Sequence, residues 1–161
     1  MTKARPPREA KILQRASEHV YYELWMLEHV AGILTLDAVG EGAILNALIE
    51  SFTIHARSLL QFFHPRSPRP DDVLAQDFFP TGPTWEDIRG ALPKSLTKLE
   101  DRVGKEIAHL TYARLNVAPE DKLWQFNEVR KDIRPLADLF CKHVDQRYLG
   151  PSWKAPRHPD A

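Results

Sequence analysis

Arg102 and His109 are the two residues whose types and spacing point most directly to chemistry. They are seven positions apart, which is two turns of an α-helix, so both side chains point nearly the same way with an axial offset of about 10 Å. The planar guanidinium of arginine matches phosphate geometry. A histidine titrates near neutrality and suits proton transfer at a ribose 2′-hydroxyl. The pair therefore indicates a phosphate-binding arginine and a general acid/base histidine that act without a metal.

Glu106 permits two other interpretations of the same segment. In the first, Glu106 pairs with Arg102 at a solvated surface, and His109 only flanks the core. In the second, Glu106 and His109 form the Glu-x-x-His ligand pair of di-iron helical bundles. The chain contains no second Glu-x-x-His, which argues against a di-iron centre. A mononuclear site with His55, His109 and a residue of the first helix stays open as an alternative, but we predict no metal and no other cofactor.

His55 lies in the middle of an apolar helical stripe, where the pattern calls for a hydrophobe. A buried imidazole needs a hydrogen-bond partner, and we expect it from the segment 102–114, for example Glu106, or from a residue near Glu50. Arg57 is rotated by about 160° from His55 around the helix axis. His55 is therefore either a core histidine or part of the cleft that contains His109. The stripe consists of Ile44, Leu48, Phe52, Leu59 and Phe62 or Phe63.

A local cluster of basic residues, rather than overall charge, is the feature that predicts anion binding. Lys plus Arg and Asp plus Glu number 22 each, so no global positive field attracts nucleic acid. Tyr112 offers a ring on which a base can stack. Glu100 and Asp101 dilute the positive charge of the cluster. The basic members are Arg57, Arg102, Lys105 and Arg114, with Arg66 and Arg69 of the loop that follows residue 64.

Four amphipathic segments position these residues, and each has apolar positions at helical spacing. Two short turns and one segment with five prolines, residues 64–83, connect them. The predicted fold class is all-α: an antiparallel four-helix bundle with a proline-rich crossover between helices 2 and 3. Pro135 is expected to kink or split the last helix. The four predicted helices cover residues 9–34, 43–64, 93–115 and 119–144.

Length and composition fit one domain, because 161 residues suffice to bury a core. We assign residues 1–8 to a flexible basic tail, 9–149 to the helical bundle and 150–161 to an irregular C-terminal tail. The single Cys141 cannot form an internal disulfide, which fits a reducing cytoplasm. No uncharged run approaches the roughly 20 residues that span a bilayer. We therefore predict a cytoplasmic protein without a membrane partner.

At Arg102-Val-Gly-Lys-Glu-Ile-Ala-His109 the chain resembles the HEPN (higher eukaryotes and prokaryotes nucleotide-binding) superfamily. The hallmark of that family is an arginine, four to six intervening residues and a histidine. The resemblance implies a small all-α bundle that often dimerises and whose ligand is RNA or a nucleotide. For active members it implies a metal-independent endoribonuclease, with Arg102 on the scissile phosphate and His109 as general acid/base.

Two functional hypotheses follow from these observations. The first is a HEPN-like RNA- or nucleotide-binding protein with endoribonuclease activity at Arg102 and His109. The second is a non-catalytic helical interaction module in which both residues serve stability. We also predict a homodimer, because Tyr21, Tyr22 and Trp25 exceed what one apolar stripe needs. The further candidate binding residues are His55, Arg57, Lys105, Glu106, Tyr112 and Arg114.

Overall fold

The computed structural model describes residues 6–36, 39–97, 99–103, 107, 112, 115 and 124–154. Every regular element in these ranges is helical, which confirms the all-α prediction. None of the helices in them is both long enough and apolar enough to cross a bilayer. The same ranges contain three 3₁₀ turns: Ala75–Phe78, Lys94–Leu96 and Gln146–Tyr148. Their α-helices are α1 (Ala10–Thr35), α2 (Ala43–Phe63), α3 (Trp85–Arg89), α4 (Leu99–Arg102), α5 (Phe126–His143) and α6 (Pro151–Lys154).

Helices α1 and α2 make the most extensive helix–helix contact in the described part of the chain, and α5 packs against both. α2 ends at Phe63, and His64 leaves helical geometry ahead of Pro65, as the sequence predicts. The stripe of α2 is buried from Phe52 onward, whereas Ile44 near its start is 72% exposed. The buried residues of α1 recur every three or four positions, as expected for an amphipathic helix: Leu13, Ser17, Val20, Leu24, Leu27, Val30 and Ala31.

Phe140 of α5 is the centre of the hydrophobic core. Its side chain is fully buried, and six aromatic rings surround it with centroids 5.2 to 6.1 Å from its own. Most of these contacts have the edge-to-face geometry that aromatic pairs prefer. One side chain therefore joins α2, the segment after α2, α3 and α6. The six rings are Phe62, Phe63, Phe78, Phe79, Trp85 and Trp153.

The proline-rich segment leads into α3, which caps the end of α2. Within this segment, Ala75–Phe78 forms a 3₁₀ turn. The carbonyl oxygen of Phe63 accepts hydrogen bonds from Trp85 Nε1 at 2.8 Å and from Arg89 Nη1 at 3.0 Å. Carbonyls at a helix C-terminus have no intrahelical donor, so α3 supplies the donors that α2 lacks.

α5 differs from its prediction at its start and in its middle. It begins at Phe126 rather than at Pro119, and residues 119–123 lie outside the described part of the chain. Pro135 lies within α5 and does not split it. Pro135 is on the exposed side of the helix, so the carbonyl of Lys131, which has lost its helical donor, can bind water.

Only part of the predicted helix 93–115 lies in the described ranges. That part forms the 3₁₀ turn Lys94–Leu96 and the short helix α4. The Ser95 hydroxyl donates a hydrogen bond to the Asp132 carboxylate, which ties this segment to α5. Three apolar residues of this part are buried: Leu96, Leu99 and Val103.

The C-terminal residues pack against α1, although the sequence predicts an irregular tail from residue 150. Pro151–Lys154 forms α6, and its Trp153 is only 6% exposed. The carbonyl oxygen of Ser17 on α1 accepts a hydrogen bond from Trp153 Nε1 at 2.8 Å. The buried Ser17 hydroxyl accepts one from the backbone N–H of Gly150, also at 2.8 Å. These partners are more than 130 positions apart, so local sequence patterns do not indicate the contact.

Glu18 determines which residue fits at position 150. Its carboxylate accepts hydrogen bonds from the backbone N–H of Ser152 at 3.1 Å and from the Ser152 hydroxyl at 2.6 Å. A β-carbon added at Gly150 would lie 2.1 Å from Glu18 Oε1. A side chain at position 150 is therefore incompatible with Glu18 in this position.

We expect Gly150→Ala to lower the free energy of unfolding by about 1–3 kcal/mol, because Glu18 must rotate away and lose its charge-assisted hydrogen bonds to Ser152. Denaturant unfolding followed by tryptophan fluorescence measures the change. In the Glu18→Ala protein, Gly150→Ala should change the free energy of unfolding little, because the clashing side chain is gone. If Gly150→Ala lowers the free energy of unfolding equally in the wild type and in Glu18→Ala, the clash with Glu18 is not the cause of the destabilisation.

Candidate functional site

The structure describes four of the eight predicted site residues. His55 and Arg57 are partly buried on α2, Arg102 is half-buried at the end of α4, and Tyr112 is 88% exposed. Arg57 has a buried Nε atom for which the described part of the chain contains no hydrogen-bond partner. The four residues outside the described ranges are Lys105, Glu106, His109 and Arg114. Because His109 is one of them, a shared cleft of Arg102 and His109 stays a prediction.

The guanidinium of Arg102 packs over the indole ring of Trp124. The central carbon of the guanidinium lies 4.1 Å from the ring centroid. This is a cation–π contact, which stabilises a folded state by about 0.5–2 kcal/mol, depending on exposure. The contact fixes the orientation of the guanidinium, and a fixed guanidinium suits a phosphate-binding role and a structural role equally.

The partner of His55 in the described part of the chain is Glu23 on α1, whereas the expected partner Glu106 lies outside the described ranges. The Nδ1 atom of His55 lies 2.7 Å from Glu23 Oε2, and the side chains of His55 and Glu23 are 12% and 28% exposed. The ring of Tyr22 contacts the imidazole edge-on at a centroid distance of 5.8 Å. Because α1 and α2 are adjacent helices joined by a short turn, the preceding helix supplies the carboxylate. The spacing of α1 places Glu23 off its apolar stripe, so the sequence pattern did not indicate this pair.

A groove of about 250 Å³ lies between α1 and α2 beside this pair. Its lining is mainly apolar, and its polar members include His19, Glu23 and Ser58. Ser58 follows His55 by one helical turn, but no hydrogen bond joins them in the described structure. A hydroxyl nucleophile needs a base within hydrogen-bond reach. The described contacts of this groove therefore provide no nucleophile–base pair.

A charged cluster that the sequence patterns did not indicate joins Glu28 of α1 to two arginines of α5. The Glu28 side chain is only 9% exposed. Its Oε2 accepts a hydrogen bond from Arg130 Nε at 2.6 Å, and its Oε1 accepts one from Arg134 Nη1 at 3.1 Å. The side chains of Arg130 and Arg134 are 42% and 40% exposed. One buried carboxylate thus orients two guanidinium groups that reach the surface.

These two arginines line an open pocket of about 590 Å³, which we call the arginine pocket. Three cationic and two anionic side chains line it, so its lining carries a net positive charge. Within the described ranges, both terminal nitrogens of Arg130 and the Nη2 atom of Arg134 have no hydrogen-bond partner. The lining residues are Glu28, Asn127, Arg130, Lys131, Arg134, Pro135 and Asp138.

Both arginines of the pocket are permanently charged. Burial works against the charge of Arg134, but the hydrogen bond and negative charge of Glu28, together with Asp138, outweigh it and raise the pKa of Arg134. Arg134 Nε donates to Asp138 Oδ1 at 3.3 Å, which occupies one edge of that guanidinium. Arg130 therefore presents the larger number of unused donors to the pocket.

Part of this pocket could have been found in the sequence. Arg130 and Arg134 are four positions apart, so they lie on the same face of a helix. Glu28 follows Leu24 by four positions, which places a carboxylate at the edge of the apolar stripe of α1. Arg130 and Arg134 follow Glu28 by 102 and 106 positions in the chain, so the pairing depends on how the helices are arranged.

His64 makes a second buried polar contact, where α2 meets α3. Arg89 Nη1 donates a hydrogen bond to His64 Nδ1 at 2.9 Å, and His64 is 8% exposed. Because an arginine only donates, the neutral ring carries its proton on Nε2. Burial first, and then the charge of Arg89, lower the pKa of His64 to about 4. His64 is therefore neutral at pH 7 and unsuited to proton transfer near neutrality.

The described ranges contain no group of three or more His, Cys, Asp and Glu side chains arranged to hold a metal ion. The chain matches no protein-family model, and no curated protein and no solved structure matches it. The function is therefore inferred from the geometry and chemistry of the site.

We expect His64 to make the folded state less stable as the pH falls from about 6.5 to about 4. In this range the unfolded chain binds a proton on His64 and the folded chain does not, so the free energy of unfolding falls by up to about 3 kcal/mol. Above pH 6.5 His64 is neutral in both the folded and the unfolded chain, so the free energy of unfolding no longer depends on its protonation. Urea unfolding at pH 4.5 and pH 7 measures the difference.

The matched variant is His64→Asn, which keeps an acceptor for Arg89 and cannot titrate. Its stability should depend less on pH than that of the wild type over the same range. Parallel pH profiles for the two proteins would refute this role of His64.

Proposed function

We propose that this chain is a HEPN-like protein that binds RNA or a nucleotide, and that the arginine pocket holds a phosphate of this ligand. The observation that carries the proposal is the pairing of Arg130 and Arg134 with the buried carboxylate of Glu28. A guanidinium presents a rigid fork of N–H donors that matches two phosphate oxygens. Glu28 orients the guanidinium groups of Arg130 and Arg134 toward one pocket, which lowers the entropy cost of ordering them when a ligand binds.

The charge distribution around the pocket supports an anionic ligand. Lys131 contributes a third cation whose side chain is 73% exposed, at 3.5 Å from Glu128. Asp138 offsets part of the charge of Arg134, so Arg130 is the principal phosphate ligand in this proposal. A phosphate group would compensate the remaining positive charge and use donors that have no partner among the described residues.

The HEPN resemblance extends the proposal to RNA cleavage. In this part of the proposal, Arg102 holds the scissile phosphate and His109 transfers the proton to or from the ribose, without a metal. The contact with Trp124 orients the guanidinium of Arg102 and is compatible with this role, and the support for the role is the resemblance to HEPN proteins.

The second candidate function is a non-catalytic helical interaction module. It is favoured by three exposed aliphatic residues near the turn between α1 and α2: Ile33, Leu36 and Ile44 are 42%, 75% and 72% exposed. Apolar side chains that cluster on a surface mark interaction sites more often than single ones do. In this function, Arg102 stabilises the fold through Trp124 and has no ligand.

The proposed architecture is an antiparallel four-helix bundle with a proline-rich crossover before its third helix. Its support is the packing of α5 against both α1 and α2. We also propose a homodimer that uses the outer face of α1, where Tyr22 is 50% exposed. A cytoplasmic location completes the proposal and is supported by the unpaired Cys141.

We expect Arg130→Gln to weaken the binding of pyrophosphate and of a single-stranded RNA oligonucleotide by about tenfold or more, because charge-assisted hydrogen bonds are lost. Arg130→Lys keeps the charge but not the fork, so its affinity should be intermediate. Isothermal titration calorimetry measures these affinities, and wild-type affinity should fall as salt rises.

Lys142→Gln is the matched control, because it removes one positive charge from an exposed position of the same helix. It should change the affinity little. If the folded Arg130→Gln and Lys142→Gln proteins bind pyrophosphate equally well, the arginine pocket does not hold phosphate.

We expect the full chain to cleave RNA in EDTA, and His109→Ala to reduce the rate by about 100-fold or more, as loss of a general acid/base does. The melting temperature of His109→Ala should equal that of the wild type, and His143→Ala, at an exposed position of α5, should cleave normally. Absence of cleavage would remove the endoribonuclease activity, and cleavage that survives His109→Ala would remove the catalytic role of His109. Either result leaves phosphate binding in place.

A further inference from the structure

Trp25 of α1 is a large aromatic residue with an exposed side chain. It is 43% exposed, whereas Trp85 and Trp153 are 2% and 6% exposed. Exposing an indole gives up burial free energy that a core position would provide. A single exposed apolar residue is common at protein surfaces, so the groups around Trp25 decide whether it has a role.

Trp25 lies one helical turn before Glu28, which lines the arginine pocket, and is not itself a lining residue of that pocket. Residues three apart on a helix have β-carbons about 5–6 Å apart and are about 60° apart around the helix axis. This flank of α1 faces the C-terminal part of the chain, because Tyr21, one turn earlier, packs against Trp153 with ring centroids 5.6 Å apart. Helical spacing therefore places Trp25 on the flank of α1 that adjoins Glu28, about 60° around the axis from it.

The ring of Trp25 is held by His29. Their ring centroids are 4.2 Å apart, with an angle of 40° between the planes. His29 Nδ1 lies 2.7 Å from the carbonyl oxygen of Trp25. A carbonyl only accepts, so Nδ1 carries a proton and donates it, and the backbone of α1 sets the orientation of the imidazole. Trp25 and His29 thus form an aromatic pair that is ordered before any ligand binds.

We propose that Trp25 stacks on the base of a nucleoside phosphate whose phosphate is bound by Arg130 and Arg134. This inference rests on the proposed function, and it assigns the residue that binds the base of the nucleotide, free or within an RNA strand. Trp25 and Glu28 are one helical turn apart, about 5 Å along the axis, so one ligand can span the indole and the arginines that Glu28 orients. Every base has a π-face, so stacking alone selects no particular base.

The test compares ligands with and without a base on the full chain. Trp25→Leu should weaken the binding of adenosine monophosphate by about 5- to 100-fold, the effect of losing one stacked base, and leave the binding of pyrophosphate unchanged. Trp25→Phe keeps a ring and should retain most of the affinity. The matched control is Ile12→Ala, because Ile12 is an apolar residue of the same helix that is 51% exposed and lies about four helical turns before Glu28.

The possible results separate this inference from the proposed function. Unchanged affinity of Trp25→Leu for adenosine monophosphate, or equal losses for adenosine monophosphate and pyrophosphate, would overturn the stacking role of Trp25. If instead the wild type binds neither compound, or Arg130→Gln binds both normally, the proposed phosphate site itself fails. A single-stranded RNA oligonucleotide distinguishes the sources: tighter binding than that of adenosine monophosphate identifies RNA, and equal binding identifies a free nucleotide.

Discussion

The carboxylate of Glu28, only 9% exposed between α1 and α5, is the constraint on which the candidate site depends. An unpaired buried carboxylate costs several kcal/mol, so the contact between these helices has to include a cation. Arg130 and Arg134 supply two, at 2.6 and 3.1 Å. Glu28 and Asp138 balance the formal charge of the two arginines, and the net positive charge of the pocket comes from Lys131. The feature that favours a phosphate ligand is therefore the set of oriented N–H donors on Arg130 and Arg134 that have no partner among the described residues.

The same requirement, that buried polar groups have partners, explains how the helices are aligned. The aromatic rings around Phe140 supply apolar burial, which depends little on small shifts between helices. Hydrogen bonds are more selective, because they weaken steeply with distance and angle. The hydroxyl of Ser17, the imidazole of His55 and the carbonyl oxygen of Phe63 each have a specific partner on another part of the chain. Such contacts determine the register in which the helices pack.

The sequence predicts those features that depend on neighbouring residues. Apolar periodicity locates α1 and α2, and Pro65 explains the end of α2, because helix geometry and proline act locally. Sequence patterns do not predict structure that depends on contact with solvent or with a distant residue. Pro135 stays within α5 because it faces water. Trp153 is buried because α1 offers its indole N–H an acceptor. For the same reason, the spacing of the two arginines on α5 was visible in the sequence, whereas their pairing with Glu28 was not.

A pyrophosphate titration followed by NMR of the arginine side chains tests the phosphate site most directly, because each guanidinium has its own Nε–Hε signal. We expect the signals of Arg130 and Arg134 to shift together and to saturate, while that of Arg147, whose partners are Asp145 and Tyr148, stays constant. Constant signals for Arg130 and Arg134 at pyrophosphate concentrations that shift the signals of other arginines would contradict the phosphate site.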